Sequence, residues 1–321
     1  MPDLVGQEIL TPMREMYCQP GVDRKSPSKG MSVEYGLFPS YKINAESQKN
    51  SHLHANEHLL IKLKAPILNR KRVKFLVGVR HFREAYDFGS IDVGDQWLFK
   101  NLENKTLKNT RFSAYLSGSI NSKVYVGFKG EAAYTGDYKG IVDFDKRYQH
   151  LYLVGILGKK PHARKEWGLG VVSRFGFRGN IVLPFLIYNQ TFNDKWGIEF
   201  TAPVKLMLRY NLSEKSLFLF GPEFGSRFYS VDFTETPTRG PVGQYNIRRS
   251  ETQLNIAFHQ QVSSWFWCEL KMGYVHYNAS EFEGVNSQEA IDFEINPSDG
   301  MFFKFGIFLS PPKSFIEANS K

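Results

Sequence analysis

Charged residues set between apolar neighbours are the most chemically suggestive feature of this chain. Lys62, Lys64, Lys74, Arg80, Lys129, Glu131, Lys205, Arg209, Glu269 and Lys271 all fall on the polar side of runs whose alternate residues are apolar. Glu34, Glu199, Glu223, Glu251, Arg227, Arg249 and Lys304 occupy equivalent positions. Side chains of both signs on one sheet face can pair across strands, whereas an anion-selective pore would concentrate bases at a constriction. Bases are in excess but the signs interleave, so paired interior charge is the reading adopted, in a narrow, charge-lined lumen. Lys129 with Glu131 and Glu269 with Lys271, each two residues apart on one face, are the expected partners.

Other candidate chemistry is weaker. His52, His54, Glu57 and His58 crowd one junction, but steps of two, three and one residues match no closed tetrahedral metal site. His150, His259 and His276 could act as bases towards Ser226, Ser230 or Ser250, yet no Gly-x-Ser-x-Gly turn surrounds these serines. Gly168-Leu-Gly170 lies inside a strand pattern with no following helix and is no dinucleotide fingerprint. No catalytic set, metal site or cofactor is therefore expected.

The elements carrying these residues have a period of two. Met31, Val33, Tyr35, Leu37 and Tyr41 oppose Ser32, Glu34, Gly36 and Lys42. Leu59–Ile67, Val73–Val79, Phe112–Ile120, Val124–Tyr134, Val204–Tyr210, Leu254–Phe258 and Phe303–Leu309 repeat the device, which places the two sets on opposite faces of a strand. Leu151–Leu157 and Leu183–Tyr188 are apolar on both faces.

Short polar turns at 69–70, 121–122, 193–194, 211–214 and 263–264 alternate with long charged stretches at 44–55, 85–107, 137–147, 232–246 and 281–298. Brief periplasmic turns and longer external loops are the plan of an outer-membrane barrel. With both termini periplasmic, the strand number must be even. Fourteen follows if Trp196–Thr201 and Val204–Tyr210 are separate strands joined at Ala202-Pro203 and Leu183–Tyr188 counts as one, twelve if Trp196–Tyr210 is a single strand and another pair merges.

Composition fits. The 321 residues are 42 % hydrophobic with a mean hydropathy of −0.36 and contain no run long enough for a spanning helix. Alternating strands hide a membrane signal from such averages. Aromatics reach 15 %, as interfacial girdles require. The net charge of +9 is scattered rather than gathered in a stripe, which argues against nucleic acid. Cys18 and Cys268 form no framework, and Cys268 reads as a small buried residue. Met1-Pro-Asp-Leu-Val shows no secretory leader. An exported protein needs one, so the sequence is read as a mature form, as one with a misplaced start, or as that of a cytosolic protein. A soluble or secreted β-sandwich binding module is the alternative carried, with a barrel-embedded hydrolase behind it.

Three framework stretches carry a family likeness: Leu98 to Lys108; Leu183 to Tyr188 continuing through Phe192-Asn-Asp-Lys-Trp196 to Ala202-Pro203; and Leu206 to Tyr210 with Ser213-Glu-Lys-Ser216. On these, the chain resembles the Bacteroidota outer-membrane β-barrel family catalogued as domain of unknown function 6268. The resemblance implies a membrane barrel and supplies no activity or binding residues.

The expectation is an all-β, antiparallel, up-and-down transmembrane barrel of 12–14 strands in a bacterial outer membrane. Residues 1–30 form a flexible lead-in, 31–309 the barrel and 310–321 a tail. The expected role is a passive channel or small-solute transport, with membrane lipid and small solutes as partners. A plug formed by residues 1–30 or 85–107 would alter the channel reading.

Overall fold

The computed structural model describes residues 17–45, 48–88, 97–103, 105–176, 179–233, 242–285 and 292–312. Its strands are β1 (Met31–Ala45), β2 (Gln48–Asn69), β3 (Val73–Asp87), β4 (Thr106–Ser119), β5 (Val124–Gly136), β6 (Gln149–His162), β7 (Lys165–Gly176) and β8 (Ile181–Thr191). There follow β9 (Trp196–Ala202), β10 (Lys205–Asn211), β11 (Ser216–Phe233), β12 (Gly243–Gln261), β13 (Phe266–Val285), β14 (Phe293–Pro297) and β15 (Gly300–Leu309). One helix, α1 (Trp97–Glu103), interrupts the series between β3 and β4.

From β1 to β14 each strand pairs antiparallel with the next in sequence, and β15 pairs with both β13 and β1, closing the sheet on itself. β14 and β15 both lie between β13 and β1 and are two lengths of one stave, so the barrel has fourteen. Pro203 and Val204 turn the chain between β9, which ends at Ala202, and β10, so these are two staves and not one, as the count of fourteen requires. A closed sheet has no free edge and does not form the two packed layers of a sandwich, so the soluble sandwich is set aside.

The outer face explains the alternation. Leu169 is 60 % exposed, Phe128 58 % and Phe305 51 %, with Leu63, Leu153, Leu254 and Leu270 also exposed on the same face of their strands. Their strand neighbours Gly168, Lys304 and Glu269 point inward. The Trp196 and Tyr210 rings pack in a tilted pair 4.6 Å apart, as do Phe218 and Phe258 at 4.8 Å, near the short-turn end, where aromatic residues such as Trp and Tyr suit a membrane interface. A closed barrel wearing an apolar belt satisfies its backbone internally and spans a bacterial outer membrane. Cys268 is on this outer face and only partly covered, not buried as its strand context suggested.

At the long-loop end, several stretches expected as loops are strand. β1 and β2 extend through 44–55 apart from residues 46–47, and β13 runs to Val285. Beyond the hydrocarbon one face no longer has to be apolar, so alternation fades although the ladder continues.

The barrel also narrows upward. β9 and β10 have seven residues each, whereas β11, β12 and β13 have 18, 19 and 20. Above the β9–β10 tip, β11 crosses to β5 and pairs with it in parallel at Ser230 and Gly136. At that seam β6–β10 drop out of the ring, leaving nine of the fourteen staves. The upper half of β8 consequently has no partner on its β9 side, and Ile181, Val182 and Leu183 are exposed on both faces. This is the setting of the doubly apolar run Leu183–Tyr188.

Candidate functional site: the closed barrel interior

Three layers fill the interior. At the external end α1 buries Leu98, Phe99 and Leu102 among Phe38, Phe88, Tyr229, Val231, Phe233, Tyr245, Phe282 and Phe302. A helix this short is held by tertiary packing of its apolar side chains rather than by propensity. Part of segment 85–107 is thus an apolar plug; residues 89–96 and 104 lie outside the described residues.

Below it lies a charged layer. Glu84 on β3 receives hydrogen bonds from the Asn56 amide at 3.0 Å, the Tyr86 hydroxyl at 2.9 Å and the Tyr229 hydroxyl at 3.2 Å. Arg249 of β12 approaches the same carboxylate at 2.6 Å, and His58 lies at 3.3 Å. Glu251 collects Arg227 at 2.9 Å and the Gln253 amide at 2.7 Å, and Gln253 accepts from Lys304 at 3.1 Å. Side chains from β2, β3, β11, β12 and β15 therefore meet in one network across the lumen.

The third layer is the lead-in. Residues 17–30 run from the base of β1 across the periplasmic mouth and back along its rim. Lys29 reaches Glu269 at 2.5 Å, while the amide and hydroxyl of Ser26 donate to Glu199 at 2.9 and 2.7 Å. The Gly21 amide donates to Glu166 at 2.8 Å, and the Cys18 amide to the Ser119 hydroxyl at 2.8 Å. Gly21 has φ of 105°, a conformation that favours glycine and lets the chain turn here. Three inward glutamates, each at most 2 % exposed, clasp this strap. Residues 1–16 lie outside the described residues.

The expected site residues are dispersed among these layers. Lys129 does meet Glu131, at 2.5 Å, and Arg111 joins them at 2.9 Å. Glu269 does not pair with Lys271: it holds Lys29 and His259, each at 2.5 Å, while Lys271 approaches Glu223 at 3.7 Å. Tilt and register, invisible in spacing along one strand, bring different partners closer. Arg209 is fully buried, donating to Glu199 at 2.9 Å and Thr191 at 2.7 Å. Lys74 donates to Gln19 of the strap at 2.6 Å, and Lys205 stands opposite Glu223 in register. Lys64 lies over the Tyr115 ring at 5.0 Å, beside a cavity of about 310 Å³ that Leu76, Lys129, Val154 and Ile156 also line. Lys62 and Arg80 are direct cross-strand neighbours.

Glu84 and Glu166 lie outside the alternating runs of the sequence, although the even-numbered polar face of Lys74 to Arg80 continues through Glu84 because β3 runs to Asp87. The histidine junction disperses: His58 is buried inside while His54 and Glu57 are exposed; the side chain of His52 lies outside the described residues. His150 contacts Thr135 at 3.1 Å, His259 meets Glu269, and His276 contacts Asp299 at 2.8 Å.

No protein-family model and no curated protein matches the chain. Among solved structures, it is similar to a Pseudomonas aeruginosa FadL homologue, with a TM-score of 0.44, 10 % identity, and 88 % of this chain and 90 % of that chain covered. It is similar to the P. putida toluene transporter TodX at a TM-score of 0.38, 9 % identity and coverage of 88 % and 90 %. The translocator domain of the autotransporter NalP from Neisseria meningitidis gives 0.30, 9 %, and 88 % and 89 %. The strand count and membrane belt rest on the chain's own geometry.

Proposed function

We propose that the chain is a small-solute conduit of the outer membrane, closed at both ends in this state, with residues 17–30 as its removable periplasmic closure. The carrying observation is the chemistry of the two closures. The external plug is an apolar cluster, costly to expose. The strap is tied by separate polar bonds to Glu166, Glu199 and Glu269, each of which water can replace. A barrel serving only as a wall has no need of a lumen occupied by a detachable segment. As part of the same reading, the chain belongs with the Bacteroidota barrels its framework motifs resemble. The lumen offers a charged lining rather than a catalytic constellation.

The test is liposome swelling by the full chain and by a form lacking residues 1–29, both checked for heat-modifiable gel mobility. Low permeability of the full chain to sugars and small anions, with a marked rise on removing the strap, is expected. A strap-less barrel that folds and stays impermeable would overturn the conduit reading.

A further inference from the structure

The inner wall carries a row of like charges that the strand register makes unavoidable. Lys62 on β2 stands directly opposite Arg80 on β3, and Arg80 directly opposite Arg111 on β4. Like charges facing each other across a ladder repel. Arg111 is compensated by Glu131, but that carboxylate already holds Lys129 as well. Glu34, the acid acting on Lys62, is shared with Lys271 and Lys304. Lys29 and Lys271 add repulsion at Lys62, and Arg227 adds it at Arg80, where the attraction of Glu131 is shared with Arg111 and Lys129.

Among the described residues neither Lys62 nor Arg80 forms an ion pair, and the Arg80 Nε is buried with no acceptor. A guanidinium does not escape by losing its proton. A buried donor that is both charged and unsatisfied is the arrangement proteins ordinarily avoid, and one that an incoming acceptor would relieve.

We propose that Lys62 and Arg80 form the binding site for a small oxyanion, a carboxylate or phosphate group. Two of its oxygens accept from the Arg80 fork and a further lone pair accepts from the Lys62 ammonium. The planar fork matches a carboxylate or phosphate edge, and Lys62 supplies a point charge beside it. This deepens the conduit reading by naming its solute class, but the binding itself does not depend on flux.

Binding is therefore measured apart from transport. The folded full chain in detergent micelles is titrated calorimetrically at low ionic strength with inorganic phosphate and, separately, with succinate. Saturable binding by either is expected, and the tighter of the two identifies the source of the oxyanion. Arg80→Gln and Lys62→Gln should each weaken it at least about tenfold, the loss that one charge-assisted hydrogen bond carries. Arg164→Gln, in a periplasmic turn, should leave it unchanged. The same anion should raise the temperature of the heat-modifiable transition in wild type and not in Arg80→Gln, a readout that survives if either variant folds poorly under calorimetric conditions. No saturable binding of either anion to a folded barrel, or equal affinity in wild type and both variants, would overturn the site. Binding without strap-dependent flux would overturn the conduit reading alone.

Discussion

Glu84 on β3 and Arg249 on β12 meet at 2.6 Å in the middle of the lumen, with side chains 0 % and 6 % exposed. They come from staves five places apart around the ring, and their contact is possible because the upper barrel is narrowed at the β5–β11 seam. Removing one member strands a buried charge. Glu84→Ala should lower stability by about 3–5 kcal/mol, whereas the double change Glu84→Leu with Arg249→Leu should recover much of that loss. Urea unfolding from lipid vesicles, followed by tryptophan fluorescence, checks both.

The outer belt makes a contrasting prediction one residue from an inward lysine. Phe305 faces lipid and Lys304 faces the lumen. Phe305→Arg should cost about 2–4 kcal/mol if it lies near the bilayer midplane. The same unfolding assay measures it, and a cost near zero would contradict the assignment of faces.

Strap seating can be read by proteolysis. Ser26→Ala and Lys29→Ala each delete strap-side donors while leaving the glutamate clasps in the wall. Losing a charge-assisted bond worth about 1.5–3 kcal/mol should raise the open population roughly tenfold or more. Trypsin cleavage after Arg24 and Lys25 should accelerate accordingly in the folded barrel, with the double variant fastest.

The seam has its own probe. A Cβ on Gly136 would sit 2.2 Å from the Ser230 carbonyl oxygen, so that position excludes any side chain. Gly136→Val should force β5 from β11 and destabilise the barrel by about 1–3 kcal/mol. Amide exchange at Asp137, which donates to the Ser230 carbonyl at 3.3 Å, should speed up while amides in the β12–β13 ladder do not.

Much of this architecture is legible in the sequence because lipid imposes a period of two. The runs from Met31 to Phe303–Leu309 fall on strands, and Pro203 marks a turn. What alternation does not carry is which stave faces which across the lumen. Glu131 and Lys129 pair because they are close on one strand; Glu269 chooses Lys29 and His259 because the strap and β12 come nearer than Lys271 does. The strap shows no periodicity, since its bonds are made by backbone amides and single polar side chains. α1 was hidden for a related reason: seven residues are too few to establish a helical period.

The place where the strap begins has a consequence for assembly. Gly30 donates to the Leu309 carbonyl on the last stave at 2.9 Å, and its own carbonyl accepts from the Lys64 amide on the second at 2.6 Å. The first link of the thread is thereby also the rivet that joins the two ends of the ring. Any intermediate in which the first and last staves have not yet met lacks that anchor, so completing the cylinder and fixing the root of its stopper are one event.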